Sequence, residues 1–337
     1  MTKRVALLRG DGIGPEISEA TVALVNATGA QIEWIDAPAG ERAIQEQGDL
    51  LPKSTLTLIE QCDAALKGPL STPIGGGYSS PNVALRQHFD LFANVRPARS
   101  VPGVQSPFQD VNLTVVRENT EGLYSGVEHY IPPGRSAAEA IAIVTRYGSE
   151  RVIRFAFEYA RRTGARKVTV FHKANILKKT SGLFLDTGRD LSKEYSDIEF
   201  TDMIIDNACM QLVKRPAQFE VIVTTNLFGD IISDLAAGLV GGLGLTGSAN
   251  LNHERGIFEA VHGTAPDIAG KGVANPTALM LSAAMMLDSL GHKPQADAMR
   301  QSLFAVLGQG KHITGDLGGK ATTRQYTQAV IDHMTGA

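Results

Sequence analysis

Short apolar runs alternate along this chain with longer stretches whose apolar residues recur at helical spacing. Residues 5–8, Val-Ala-Leu-Leu, form one such run and predict a buried strand. The turn Gly10-Asp11-Gly12-Ile13-Gly14-Pro15-Glu16 follows, and then Ile17, Ala20, Leu24 and Val25 on one helical face. Pro15 suits a first helical position, where its missing N–H costs nothing, and Glu16 complements the helix dipole. The alternation continues with strands predicted at 31–35, 64–67, 113–117, 167–172, 198–205 and 220–224. Helices are predicted at 54–61, 149–163 and 228–239, the second with Val152, Phe155, Ala156 and Tyr159 at helical spacing. Glycine-rich loops are expected at 73–78 and 238–247, a turn at 226–229, and a further loop at 262–271. The last third reads as helices at 276–290, 294–307 and 323–333. Strands alternating with helices predict an α/β fold, without internal repeats.

Composition narrows the function classes. A chain of 337 residues accommodates two domains or one large α/β unit. Its net charge of -3 gives no electrostatic case for nucleic acid or an anionic membrane. Cys62 and Cys209 are too few for a disulfide framework and read as buried thiols. The first apolar run ends at Arg9, too soon for a secretory signal. The richest apolar stretches, around Leu239 and Met280, are broken by Gly or Ser and fall short of the ~20 residues a membrane span needs. A cytoplasmic location is expected.

The candidate chemistry lies in three aspartates, Asp206, Asp230 and Asp234, and three arginines, Arg86, Arg96 and Arg117. Carboxylates offer hard oxygen ligands, favouring Mg²⁺ or Mn²⁺ over zinc, and the histidines and cysteines show no zinc spacing. Arginines offer planar forks for carboxylates. Together they point to a small polycarboxylic acid held against a metal. Asp230 and Asp234 are one helical turn apart and repel unless a cation neutralises them; a plain acidic helix start is the alternative. Gly10–Gly14 fails the dinucleotide fingerprint, because its third glycine would fall on Pro15, and reads as a tight turn. The loop 73–78 precedes Ser80, Asn82 and Arg86, either as a ligand site or as a solvated helix face. Arg117-Glu118-Asn119-Thr120-Glu121-Gly122-Leu123-Tyr124 begins where a strand ends, the usual place for ligands in α/β proteins, although Tyr124 alone reads as packing. Lys173 also follows a strand, where burial would suit it to proton transfer. Asp267, in the loop His262-Gly263-Thr264-Ala265-Pro266-Asp267, could accept both hydroxyls of an adenosine ribose and would repel a 2′-phosphate.

Three blocks carry a family resemblance: 117–122, Arg-Glu-Asn-Thr-Glu-Gly; 226–234, Asn-Leu-Phe-Gly-Asp-Ile-Ile-Ser-Asp; and 262–266, His-Gly-Thr-Ala-Pro. They resemble the β-decarboxylating dehydrogenases of isocitrate, 3-isopropylmalate and homoisocitrate, over residues 10–319. The resemblance implies a two-domain α/β fold distinct from the usual Rossmann unit. A large cofactor-binding domain of 1–99 plus 252–337 and a small one of 100–251 are expected, in a homodimer that shares its active sites. Ser80-x-Asn82 and the run Tyr124-Ser125-Gly126-Val127-Glu128-His129 are similar to isocitrate dehydrogenases. An isopropyl group would leave those polar groups unpaired, whereas homoisocitrate, one methylene longer, is harder to exclude. Asp267-Ile268 is similar to NAD users, which differ here from NADP users with Lys-Tyr. The expectation is NAD-dependent oxidation of isocitrate to 2-oxoglutarate and CO₂. A non-catalytic regulatory subunit is the rival from another class.

The resemblance further implies residue roles. Mg²⁺ or Mn²⁺ would sit on Asp230, Asp234 and a neighbouring subunit's Asp206. Lys173, with Asp206, would take the hydroxyl proton, and Tyr124 would return one to carbon. Ser80, Asn82, Arg86, Arg96, Arg117 and Asn175 would hold the substrate. Thr72, Glu259, His262, Gly263, Thr264, Ala265, Asp267 and Asn275 would hold NAD.

Overall fold

The structure, a computed structural model, describes residues 2–71 and 80–336. The expected loop at 73–78 and Thr72 lie outside the described residues. Along the chain the strands and helices are β1 (Lys3–Leu8), α1 (Gly14–Ala27), β2 (Ile32–Asp36), α2 (Glu41–Gln47), α3 (Lys53–Glu60), β3 (Ala64–Lys67), α4 (Pro81–His88), β4 (Ala93–Arg99) and β5 (Asn112–Glu118). A small hairpin, β6 (Glu128–Tyr130) and β7 (Ala138–Ala140), leads to α5 (Arg146–Thr163), β8 (Lys167–His172), α6 (Thr180–Ser192), β9 (Glu199–Ile204) and α7 (Ile205–Lys214). The chain closes with β10 (Val221–Thr224), α8 (Asn226–Leu239), β11 (Gly247–Leu251), β12 (Gly256–Ala260), α9 (Thr277–Ser289), α10 (Lys293–Gln309) and α11 (Thr323–Thr335). The α/β reading holds.

Residues 226–229, expected as a turn, are instead the first turn of α8, and that helix runs into the expected loop, which ends as β11 begins at Gly247. The chain divides into two compact units. One comprises residues 1–85, 100–109 and 237–337; the other comprises 86–99 and 110–236. Residues 86–99 thus pack with the interior segment, and 237–251 with the unit that holds both chain ends.

In the unit with the chain ends, β2, β1, β3 and β12 lie side by side and parallel, and β11 is antiparallel to β12. Helix α9 explains its core. It is apolar on nearly every face, so it must be surrounded, and Ala278, Leu279, Met280, Ala283, Ala284, Met286 and Leu287 are all inaccessible to solvent. Helices α1 and α10 pack against it, and α11 packs on both of them.

In the second unit, β4 is antiparallel to β5, and β5, β10, β8 and β9 are parallel. Helix α5 lies across this sheet. Thr145 caps its start by accepting from the Gly148 amide at 2.9 Å, and Gly164 ends it in the left-handed conformation. Its buried stripe is Val152, Ile153, Ala156, Phe157 and Ala160, while Phe155 and Tyr159 flank it half-buried. In both units the parallel strands release their chain at one sheet edge, where α/β proteins collect functional groups.

Candidate functional site

In the second unit, the carboxyl ends of β5 and β10 bring the candidate acids and arginines together. Arg117, near the end of β5, is 1 % exposed despite its charge. Its Nε and Nη2 both donate to Asn226 Oδ1, at 3.0 and 2.7 Å, and its Nη1 pairs with Asp230. Gly229 makes this possible, because a Cβ there would lie 2.5 Å from Arg117 Cγ. Arg96, on β4, donates from Nε to Asn94 Oδ1 at 2.7 Å and from Nη1 to Ser233 Oγ at 2.7 Å; the same Nη1 lies 3.4 Å from Asp230 and 3.2 Å from Asp234. Asp230, Ser233 and Asp234 share one face of α8. The Tyr124 hydroxyl donates to Asp230 Oδ2 at 2.5 Å, and the Arg117 guanidinium lies 4.9 Å from the centre of the Tyr124 ring.

Burial pulls the Arg117 pKa down to about 10, helped by the charges of Arg86 and Arg96. Asp230 resists its own burial: Arg117, the Tyr124 hydroxyl, Arg96 and Arg86 hold its carboxyl below the ordinary range. Burial raises Asp234, only partly countered by Arg96, and the charge of Asp230 adds to the rise. The Tyr124 phenol is raised by burial and by its bond to Asp230, so it keeps its proton at neutral pH. Three guanidinium groups therefore face two carboxylates, an excess of positive charge suited to an anionic ligand.

Asp230 and Asp234 fit a hard divalent cation as two adjacent oxygen donors, both partly open to solvent. Among the described residues no three metal-ligating side chains of one chain cluster together. Asp206 lies elsewhere, in the first turn of α7, paired with Lys173 from the end of β8. That hydrogen bond to Lys173 holds the Asp206 carboxyl below its ordinary pKa. Asn175 is exposed on the turn after Lys173. Ser80 opens α4 by accepting the Ala84 amide at 2.9 Å, and Asn82 Oδ1 is buried without a hydrogen-bond partner among the described residues. Arg86 is on the same helix, one turn after Asn82, and is buried.

The unit with the chain ends holds the proposed cofactor residues around a cleft of about 500 Å³. Ile13, Gly244, His262, Gly263, Ala265, Ile268, Asn275 and Asp316 line it. His262 donates from Nδ1 to its neighbour's carbonyl, Gly263 O, at 3.0 Å, which leaves Nε2 as a buried acceptor without a partner among the described residues. Burial lowers the His262 pKa, so the ring is neutral. An apolar cleft with an unanswered acceptor fits the adenosine part of a dinucleotide. Asp316 is the residue that sequence reasoning missed; it accepts from Asn275 Nδ2 at 2.9 Å. Its only signal was the turn 315–319, Gly-Asp-Leu-Gly-Gly. Asp267 is exposed, two residues beyond Ala265 and beside Ile268. Glu259 has turned inward: it pairs with Lys67 at 2.7 Å and accepts from Asn250 at 2.7 Å, and it is 6 % exposed. Thr264 O accepts the Ile13 amide at 2.9 Å, so the first glycine turn braces this loop.

The chain is 47 % identical over 329 residues to the mitochondrial NAD isocitrate dehydrogenase catalytic subunit 5 of Arabidopsis thaliana, covering 97 % of this chain and 87 % of the relative. It is 47 % identical over 334 residues to a regulatory subunit of the mitochondrial NAD isocitrate dehydrogenase of Dictyostelium discoideum, covering 99 % and 92 %. The crystal structure of isocitrate dehydrogenase from Methylococcus capsulatus superposes with a TM-score of 0.96 at 52 % identity, covering 99 % of both chains. With residues 4–333 also matching the model for isocitrate/isopropylmalate dehydrogenase, this chain belongs to that family, whose members are NAD(P)-dependent decarboxylating dehydrogenases.

Proposed function

We propose that this protein oxidises isocitrate to 2-oxoglutarate and CO₂, using NAD⁺ and a divalent metal, as a homodimer. The observation that carries the reading is the buried set of Arg96 and Arg117 about Asp230, with the Tyr124 hydroxyl donating to the same carboxylate. Arg86, Arg96 and Arg117 bind substrate carboxylates through charged hydrogen bonds, and Ser80 and Asn82 take the remaining one. The Ser80 hydroxyl and the Asn82 side-chain NH₂ are donors suited to a carboxylate and would be left unpaired by an isopropyl substituent. Asp230 and Asp234, with Asp206 of a second chain, would hold Mg²⁺ or Mn²⁺. Bound metal and NAD⁺ supply Lewis-acid polarisation of oxygen and a hydride acceptor.

The residues themselves handle protons. Lys173, held by Asp206, passes its own proton to that carboxylate and as the free amine takes the proton of the substrate hydroxyl; Asn175 lies on the same turn to assist binding. Tyr124, kept neutral, gives a proton to C3 after CO₂ leaves. His262, Gly263, Ala265 and Asn275 line the cleft offered to adenosine, and Asp267, next in the chain to the lining residue Ile268, favours ribose hydroxyls over a 2′-phosphate.

The likeness to a regulatory subunit supports a second reading, a chain that binds isocitrate without turnover. Retention of Tyr124, Lys173 and the three aspartates favours the enzyme. The test is kcat/KM for isocitrate, homoisocitrate and 3-isopropylmalate, each with NAD⁺ and NADP⁺. Isocitrate with NAD⁺ is expected to lead. Binding without turnover would select the regulatory reading, and equal efficiency with NADP⁺ would remove the role of Asp267.

A further inference from the structure

The proposed proton acceptor, Lys173, stands one residue beyond β8, and both peptide planes flanking its Cα are pinned. Its own amide donates to Ser181 Oγ at 2.8 Å. Its carbonyl accepts from the amides of Ile176 at 3.0 Å and Leu177 at 2.9 Å. The following amide, of Ala174, donates to His172 Nδ1 at 3.1 Å. A backbone amide can only donate, so Nδ1 carries no proton and the neutral ring holds its hydrogen on Nε2. That Nε2 faces Asp202 Oδ1 at 3.1 Å, and Asp202 Oδ2 is met by Arg189 at 3.4 Å. His172 is 5 % exposed, so water does not compete for these bonds.

Asp202 is on β9, so this imidazole also ties β8 to β9, the two strands whose ends deliver Lys173 and Asp206. A side chain that accepts the amide two residues on is the geometry of an Asx turn, here made by histidine. We propose that His172 is a positioning residue: its Nδ1 holds the Lys173–Ala174 peptide so that the lysine Nζ reaches Asp206. The inference rests on the proposed role of Lys173 and adds a residue that touches neither substrate nor cofactor.

Two substitutions separate the two ring nitrogens. In His172→Asn, the Oδ1 atom replaces Nδ1 as acceptor and the link to Asp202 is lost. In His172→Gln, the side-chain amide replaces Nε2 as donor and the acceptor for Ala174 is lost. His172→Asn is expected to keep kcat within about threefold of the parent, because Asn forms this turn naturally. His172→Gln is expected to lose about 10²-fold in kcat, a cost of order that of a misplaced group, with KM for isocitrate little changed. Amide exchange at Ala174, read by NMR, is expected to stay slow in the parent and His172→Asn and to quicken in His172→Gln. Melting temperatures are recorded to show that both variants fold.

A folded His172→Gln enzyme with parental kcat and slow Ala174 exchange would overturn the inference. So would a folded His172→Asn enzyme as impaired as His172→Gln. Lys173→Met, measured alongside, distinguishes the two levels. If Lys173→Met turns over isocitrate at full rate, the role of Lys173 fails, and with it the catalytic purpose of His172, whatever the exchange rates show.

Discussion

At the scale of single residues, surroundings set protonation. Tyr124 is held neutral by burial and by donating to Asp230. Tyr124→Phe removes the proton and the bond while keeping the ring, so kcat with isocitrate should fall by about 10²-fold or more, with KM little changed. Steady-state kinetics check it, and a kcat near the parental value would remove the acid role. His262 gives a pH prediction. Burial depresses its pKa, so the folded protein favours the neutral ring. Its contribution to stability is complete above the ordinary value of about 6.5 and is lost as pH falls through the depressed one. The ring should therefore titrate below about pH 6.5 by NMR, and NAD⁺ affinity should be flat between about pH 7 and 8. A midpoint above 6.5 would contradict the buried, neutral assignment. The arginines and aspartates were legible in the sequence as residue types suited to a carboxylate and a metal. Their shared use of Asp230 was not, since it depends on Gly229 leaving room for Arg117. Asp316 was hidden because a lone acid in a glycine turn reads as a loop residue. Glu259 gave no sign of Lys67, which lies almost two hundred residues away and pairs with it only through the β3–β12 register.

At the scale of elements, legibility followed apolar periodicity. Runs such as β3 and β8 were found at their full extent because each is a block of apolar residues bounded by turns. β4 escaped notice because Asn94 and Arg96 are buried polar groups of the site, which break the strand pattern where function needs them. β11, Gly-Ser-Ala-Asn-Leu, is small and polar for a buried strand, and its Asn250 serves Glu259. The β1–α1 turn shows an element whose motif misleads. Its glycines approach protein backbone rather than leaving a loop free to wrap a phosphate. Gly12 has φ of 57°, and a Cβ there would stand 2.1 Å from Thr264 O. Gly12→Ala should therefore cost roughly 1–3 kcal/mol through backbone strain and displacement of the 262–265 loop. A thermal melt should show the loss of stability. The Kd for NAD⁺ should rise while that for isocitrate changes little, since the arginines belong to the other unit. A Kd for NAD⁺ that stays parental in the destabilised variant would limit this turn to folding.

At the scale of the whole molecule, the family's dimeric habit meets a gap in the single chain. Asp230 and Asp234 stand together, whereas Asp206 and Lys173 form a separate pair, and no third metal-ligating side chain joins the first two among the described residues. If each site takes Tyr124, Asp230 and Asp234 from one chain and Lys173 and Asp206 from another, the two roles can be damaged on different chains and then combined. A mixed dimer of Tyr124→Phe and Lys173→Met chains would carry one site with both lesions and one with neither. Random re-pairing of equal amounts gives half mixed dimers, each with half its sites intact, so activity should recover to about a quarter of the parental value. Each variant alone should stay nearly inactive. Unfolding and refolding the two together, then assaying isocitrate turnover, checks the prediction. Were both roles served by one chain, every site in every dimer would keep a lesion and mixing would restore nothing. Recovery thus requires that the two separated clusters of one chain belong to different sites of the dimer.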